Sequence, residues 1–442
     1  MDLFRITGLE LEHIGPFGHL RLDLPSKPHG LEGKAEVHIF TGENGTGKTT
    51  ILDALVASIK QDAYGLMSKF RSHGPLVTGP DFFGDNQKND NNPKVSLSVQ
   101  YNKDLPFVLR RSSKGDIVVS SENRIVRNFL DNINRPKSFA FFAYSGYRRL
   151  TQFNIKGISE IKENPLQGAL DFQNSINPEL LLQWIANTIT KEALAKNQAD
   201  NIAAERFRNA LDNIERSIHS ITGKNIHFTL NYEPISVNIN VDGTLLDFNN
   251  LPDGLKSIVS WIADLLMRMD RMDWAENTPV FERNFILFLD EIEVHMHPAW
   301  QRKILPAVQT LFPNAQIFIS THSPFVIGSV DGAWIYKLVK PNGDSHLEDG
   351  YPLLSEDAKS VRYWLDEVFG VKEQFGPEVE RDLKEFYQLK TILLKDAPSE
   401  AKEKFLKLGK NLATQSAEIN QIIQMEIRQV NRLKSLELSI IQ

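Results

Sequence analysis

There is no cysteine among the 442 residues, which excludes disulfides and thiolate zinc sites and fits a reducing compartment. No apolar run approaches the roughly 18 residues needed to span a bilayer, so no membrane passage is expected. The opening stretch "MDLFRITGLELEHIGPF" has neither a basic segment leading into an apolar one nor a small-residue cleavage site, and a cytoplasmic location is expected. Positive charge is not in excess. With 50 Lys and Arg against 56 Asp and Glu, the net charge of −6 excludes a generally basic coat for nucleic acid. Any DNA contact would be local, and Arg110/Arg111 and Arg148/Arg149 are basic pairs of the kind that usually only solvate a face. No internal repeat is visible. What is present is globular: 41% hydrophobic and 24% charged residues over this length support a large core in two or three domains, or one domain with an insertion.

Periodicity organises the chain. "RITGLELEHIGPFGHLRLDL" alternates as two paired strands about a tight connection, and "VHIF" reads as a buried strand. "TGENGTGKTT" follows directly, and "ILDALVASIKQDAYGL" has helical spacing. Residues 74–94, rich in Gly, Asn and Asp, read as an exposed mobile loop. "VSLSVQY", "PFVLRR", "DIVVSS" and "FAFFAY" resume as strands. The pattern then turns helical over 167–223, too short at about 1.5 Å of rise per residue for a long coiled-coil arm. "NIHFTLNY" and "ISVNINVDGTLLDF" read as strands with a turn at Asp242-Gly243, "LKSIVSWIADLLMRM" as a helix, and "QIFIS" as a buried strand before "THSP". The organisation is 1–166, a first α/β half; 167–223, a helical lobe; 224–340, a second α/β half; and 341–442, a mainly helical extension.

Two stretches carry chemistry. Gly42 to Thr49 fits G-x-x-x-x-G-K-[ST] between a strand and a helix, the placement that lets backbone N–H groups cradle phosphates. Gly42, Glu43, Asn44, Gly45, Thr46, Gly47, Lys48, Thr49 and Thr50 are therefore candidate ATP-binding residues, with Lys48 facing the terminal phosphates and Thr49 entering a Mg²⁺ shell. The second stretch is "ILFLDEIEVHMHPAWQRK", whose Asp290, Glu291, Glu293, His295 and His297 are residue types that bind transition metals. Its rival reading is nucleotide hydrolysis: a buried strand delivers Asp290 to Mg²⁺ and Glu291 to the attacking water. His322, after the next strand, is a candidate γ-phosphate contact.

"GENGTGKTT", "LPDGLKSIVSWIADLL", "FLDEIEVHMHPAWQRKILP" and "FISTHSPFVI", in this order over residues 1 to about 340, resemble the heads of the RecF/SMC branch of ABC-type ATPases. More narrowly they resemble the prokaryotic OLD-like group, which includes the ATPase subunits of the Septu and PARIS anti-phage systems. The resemblance implies an α/β P-loop NTPase of ABC-head type with ATP and Mg²⁺ as cofactors. It makes Asp290 the Walker B aspartate, Glu291 the catalytic glutamate and His322 the switch histidine. It puts Glu293, His295 and His297 in a D-loop lying across a dimer interface, and Asp253 and Gly254 in a signature reaching the nucleotide of a second copy. Pro252 stands where the signature usually has serine and removes a hydroxyl and a backbone donor. Gln152 is a Q-loop candidate and Arg148 a phosphate or interface candidate.

The function so implied is an ATP-binding and hydrolysing sensor or scaffold subunit of an anti-phage system. Its partners are a second copy across sandwiched ATP, a larger assembly, and a separate effector, a nuclease, because 340–442 shows no acidic or His-Asn-His nuclease constellation. The alternative is a RecF-type DNA repair or recombination ATPase. The apolar stripe Ile423, Ile427, Val430 and Leu433 near the end either packs on its own domain or meets a partner.

Overall fold

The computed structural model describes residues 3–60, 96–102, 106–111, 117–120, 136–146, 155, 157–172, 174–341, 343–356, 358–395, 398–434, 436 and 438–439. The loop 74–94, Arg148, Arg149 and Gln152 lie outside the described residues. The strands are β1 (Ile6–Ile14), β2 (Phe17–Asp23), β3 (Glu36–Gly42), β4 (Ser96–Tyr101), β5 (Phe107–Arg111), β6 (Ile117–Ser120), β7 (Ala140–Ser145), β8 (Ile226–Tyr232), β9 (Ile235–Val241), β10 (Thr244–Asp247), β11 (Phe285–Asp290), β12 (Ala315–Ser320), β13 (Trp334–Val339), β14 (His346–Leu347) and β15 (Leu353–Leu354). The helices are α1 (Lys48–Lys60), α2 (Pro178–Asn197), α3 (Asn201–Thr222), α4 (Asp253–Asp270), α5 (Pro298–Leu311), α6 (Pro324–Ile327), α7 (Val361–Glu367), α8 (Pro377–Lys395), α9 (Ser399–Ala413) and α10 (Ala417–Lys434).

The chain divides into two compact units, Met1–Phe369 and Gly370–Gln442. In the first, a sheet ordered β14-β13-β3-β12-β11-β7 runs parallel from β13 to β7, while β14 and β15 pair antiparallel with β13. Its strands β7, β11 and β12 are buried at every position because both faces are covered, which is why they read as unbroken apolar runs. An antiparallel sheet, β2-β1-β4-β5-β6, begins with the β1–β2 hairpin, in which Ile14 faces Phe17 across Gly15 and Pro16. A third sheet, β10-β9-β8, turns at Asp242 and Gly243, whose φ values of 50° and 90° suit a two-residue hairpin.

Buried polar groups tie the sheets together. Glu36 of β3 accepts from Arg5 at 2.5 Å and from Gln316 at 2.6 Å, and pairs with His38 at 2.9 Å. Gln316 also exchanges two hydrogen bonds with the Ile6 backbone, so the first strand of one sheet is stitched to the central strand of another.

Helices α2 and α3 lie within 167–223. Asn177 caps α2 ahead of Pro178, Asp200 caps α3, and Gly223 ends α3 at φ 71°. They pack on each other, and α3 also packs on α4 and α5. Helix α4 is buried from Leu255 to Met269 but for Lys256, so it is a core helix rather than an amphipathic one. Within it, Arg268 pairs with Asp264 at 2.6 Å and donates to the carbonyls of Pro165, Gln167 and Ser175, while the Tyr144 hydroxyl donates to Asp264. That network anchors the approach to the lobe on α4.

The second unit is the three-helix group α8, α9 and α10 around its own core, with Phe386 stacked on Phe405 at 4.3 Å. Ile423, Ile427 and Val430 pack into that core, whereas Leu433 is 60% exposed. The stripe is thus used internally and Ile419, not Leu433, completes it.

Candidate active site

The phosphate loop joins β3 to α1 at the carboxyl end of the parallel sheet, where such sheets bind ligands. Two of its glycines are dictated by close approach. A Cβ on Gly42, at φ 143°, would lie 2.2 Å from the Leu338 carbonyl oxygen, and one on Gly47, at φ 101°, would lie 2.5 Å from the Phe17 ring. Thr46 donates to the Glu43 carbonyl at 2.9 Å. Lys48 folds back over the loop, its ammonium donating to the carbonyls of Gly42 at 3.1 Å and Glu43 at 3.0 Å. Burial pulls that ammonium below its usual pKa, and the charges of Glu291, Asp290 and Glu293 oppose the shift.

Asp290 ends β11, one strand away from β3 across β12. It accepts from Ser320 at 2.5 Å and from Thr49 at 3.2 Å. Burial raises its pKa, with Ser320 and Thr49 working the other way. A hydroxyl and a carboxylate side by side are hard oxygen donors that suit Mg²⁺, and Thr49 and Asp290 are the residues that would hold it. Glu291 follows in left-handed backbone, φ 49°, its N–H donating to the carbonyl and hydroxyl of Ser320 at 3.1 Å each. Gly146, just beyond β7, donates its N–H to the Asp290 carbonyl at 2.7 Å, and a Cβ there would fall 1.9 Å from the Glu291 carbonyl oxygen. The Glu291 carboxylate lies 3.6 Å from Nε2 of His322. Burial and the Lys48 charge hold His322 below the ordinary histidine pKa against the pull of Glu291, leaving its ring neutral near pH 7.

Lys48, Thr49, Glu291 and His322 share one pocket of about 340 Å³, lined also by Pro16, Asn44, Gly45, Gly47 and Thr50. An anion bound there meets a lysine and the N-terminus of α1, with a carboxylate and a neutral imidazole opposite. Sequence reasoning missed Pro16, Ser320 and Gly146. Pro16 had a signal in the glycine-flanked turn "GPFG"; Ser320 acts through its hydroxyl and carbonyl and Gly146 through backbone proximity, and no local pattern announces either.

The remaining candidates diverge. Glu293 is buried, its carboxylate turned inward to accept from the Thr321 hydroxyl at 2.6 Å and the His322 N–H at 2.9 Å. His295 and His297 are exposed, and His297 caps α5 by accepting from the Ala299 N–H at 3.2 Å. Among the described residues no group of three or more His, Cys, Asp or Glu is arranged to hold a metal ion. Asp253 is exposed at the start of α4, and Gly254 is buried where a Cβ would come 2.7 Å from the His295 carbonyl oxygen. Pro252 occupies the N-cap without a side-chain hydrogen bond.

Comparison with known proteins gives a consistent picture. Residues 37–328 match the family described as "AAA domain, putative AbiEii toxin, Type IV TA system", and residues 4–66 match another described as "AAA domain". The chain is 24% identical over 400 residues to "Retron Ec83 probable ATPase" of Escherichia coli, covering 76% of this chain and 71% of that protein. It is 22% identical over 444 residues to "Septu protein PtuA" of Bacillus thuringiensis, covering 91% of this chain and 97% of that one. A solved SMC head bound to the C-terminal winged-helix domain of ScpA is 12% identical at a TM-score of 0.45, over 78% of this chain and 97% of that one, a likeness too distant to carry an argument.

Proposed function

The chain belongs to the AbiEii-type AAA-domain family, and from that membership we propose that it is the ATP-controlled sensor or scaffold subunit of an anti-phage defence system, governing a separate nuclease effector. It is a P-loop ATPase. The observation that carries the reading is the convergence of Lys48, Thr49, Glu291 and His322 on one pocket. The defence role is supported by the likeness to a Septu protein along 91% of the chain. The narrower OLD-like placement rests on the block from Asp290 to Pro298 together with Thr321 to Pro324. Among the described residues no helix is long and apolar enough to cross a membrane, and a cytoplasmic setting goes with the reading.

Bound ATP would lay its terminal phosphates on the loop N–H groups and the Lys48 ammonium. Thr49 and Asp290 would hold Mg²⁺, which when bound neutralises charge between the β and γ phosphates. Glu291 orients and polarises the attacking water, and His322 donates a ring N–H to a γ-phosphate oxygen. A second copy supplies the N-terminus of its α4, where Gly254 brings backbone N–H groups to the same phosphate. Deprived of a serine, that contact acts through backbone alone.

The test is to co-express the chain with the reading frame encoded beside it and compare effector action with and without ATP. Nuclease activity that follows the nucleotide state supports the reading. Activity indifferent to ATP and to Lys48→Ala would refute it.

A further inference from the structure

We propose that Glu293 is a positioning residue for hydrolysis, holding His322 at its distance from Glu291 by gripping the backbone of the histidine's loop. The inference rests on the reading of His322 as the γ-phosphate contact.

The geometry differs from that of a residue lying across an interface. Glu291 and His295 both adopt left-handed backbone, φ 49° and 66°, so the chain from 291 to 296 curls, with N–H donors of Val294 and Met296 returning to the carbonyls of Glu291 and Glu293. The curl turns Glu293 away from Glu291 and beneath the end of β12. One carboxylate oxygen there accepts both the Thr321 hydroxyl and the His322 N–H. The other oxygen is buried with no hydrogen-bond partner, so this side chain has been taken out of water for the sake of two bonds to the adjacent Thr321 and His322. A second tie runs parallel: Ser323 donates to Gln301 at 2.6 Å, and Gln301 donates to the Met296 carbonyl at 2.9 Å. Thr321 also accepts from the Ser323 N–H, closing the ring. His322 has no other described hydrogen bond to its ring Nε2, which faces Glu291 from 3.6 Å. Its place is therefore set from its backbone, and Glu293 is the side chain that sets it. An oxygen acceptor suffices for both bonds, and an amide oxygen supplies one as a carboxylate does.

A kinetic cycle on the full chain tests this, measuring ATP affinity and steady-state turnover for Glu293→Ala, Glu293→Gln, His322→Ala and the double variant Glu293→Ala/His322→Ala. Glu293→Ala is expected to lower kcat about 10-fold or more with ATP affinity unchanged, Glu293→Gln to stay near wild type because it keeps the acceptor, and the double variant to match His322→Ala. Multiplicative losses in the double variant, or unchanged kcat in Glu293→Ala, overturn the proposal while leaving His322 in place. An inert His322→Ala instead overturns the reading of the histidine, and the proposal with it. If Glu293→Ala does not fold, Glu293→Gln against Glu293→Asp decides: a slow Asp and a normal Gln support the grip, and equal rates refute it.

Discussion

At the scale of single residues, the site depends on two carboxylates in consecutive positions with different surroundings. Asp290 is buried and accepts from Ser320 and Thr49, while Glu291 faces the pocket from a left-handed backbone that non-glycine residues seldom adopt. That strained position is held by Ser320 on one side and by Gly146 on the other. Gly146→Ala must therefore displace Glu291, and kcat is expected to fall about 100-fold with ATP still bound, as for a catalytic group moved by an ångström. Turnover equal to wild type would show that the backbone yields without moving the carboxylate. Lys48→Ala removes the cation that bridges the loop carbonyls and faces the phosphates. Equilibrium binding of a fluorescent ATP analogue should be lost, and retained binding would contradict the assignment.

At the scale of elements, β3 with α1, β11 and β12 were legible because each motif closes a buried apolar strand, and a parallel strand covered on both faces reads as such. The direction of Glu293 was not, since a curl built on two left-handed residues leaves no periodicity. Helix α4 was legible as a helix, but not its contact: Gly254 lies against the His295 carbonyl of the same chain, so the start of α4 is packed on the turn after β11. Pro252 caps α4 without a hydrogen bond, at φ −54°, which serine can adopt. Pro252→Ser should add about 1 kcal/mol of helix stability and raise ATP turnover. Lower or unchanged turnover would mean that the signature serves only to pack α4. The buried Glu36–His38 pair makes a separate prediction for pH. Burial holds the His38 pKa below its usual value despite Glu36. Glu36 is pushed up by burial but held low overall by His38 and Arg5. Both folded values are depressed, so both contribute stability that is present above the unfolded pKa and lost as pH falls towards the folded one, for His38 starting near the unfolded value of about 6.5. Urea midpoints should drop between pH 7 and pH 5, less steeply in His38→Gln. Parallel slopes in the two proteins would exclude the histidine as the cause.

At the scale of the whole molecule, two compact units carry separate cores, and the division at Phe369/Gly370 falls later than the residue 340 at which the sequence pattern turns helical. The reason is physical: β14 and β15, which pair with β13 from beyond residue 340, are two-residue strands too short to show alternation. A cut inside the second unit, such as after Gly409, would split α9, remove α10 and expose Phe386 and Phe405, so the informative truncation is after Phe369. The chain 1–369 should remain soluble and bind ATP as the full chain does, while effector co-purification weakens if the three-helix unit reads out the head. Undiminished co-purification would move the partner surface into the first unit. The pocket shared by Lys48, Thr49, Glu291 and His322 is the proposed place of ATP cleavage. The most direct measurement is steady-state ATP turnover by Glu291→Gln beside wild type at equal nucleotide occupancy. The variant is expected to retain ATP and to hydrolyse it about 100-fold more slowly or worse, since water activation alone is removed. Turnover equal to that of wild type would contradict that assignment.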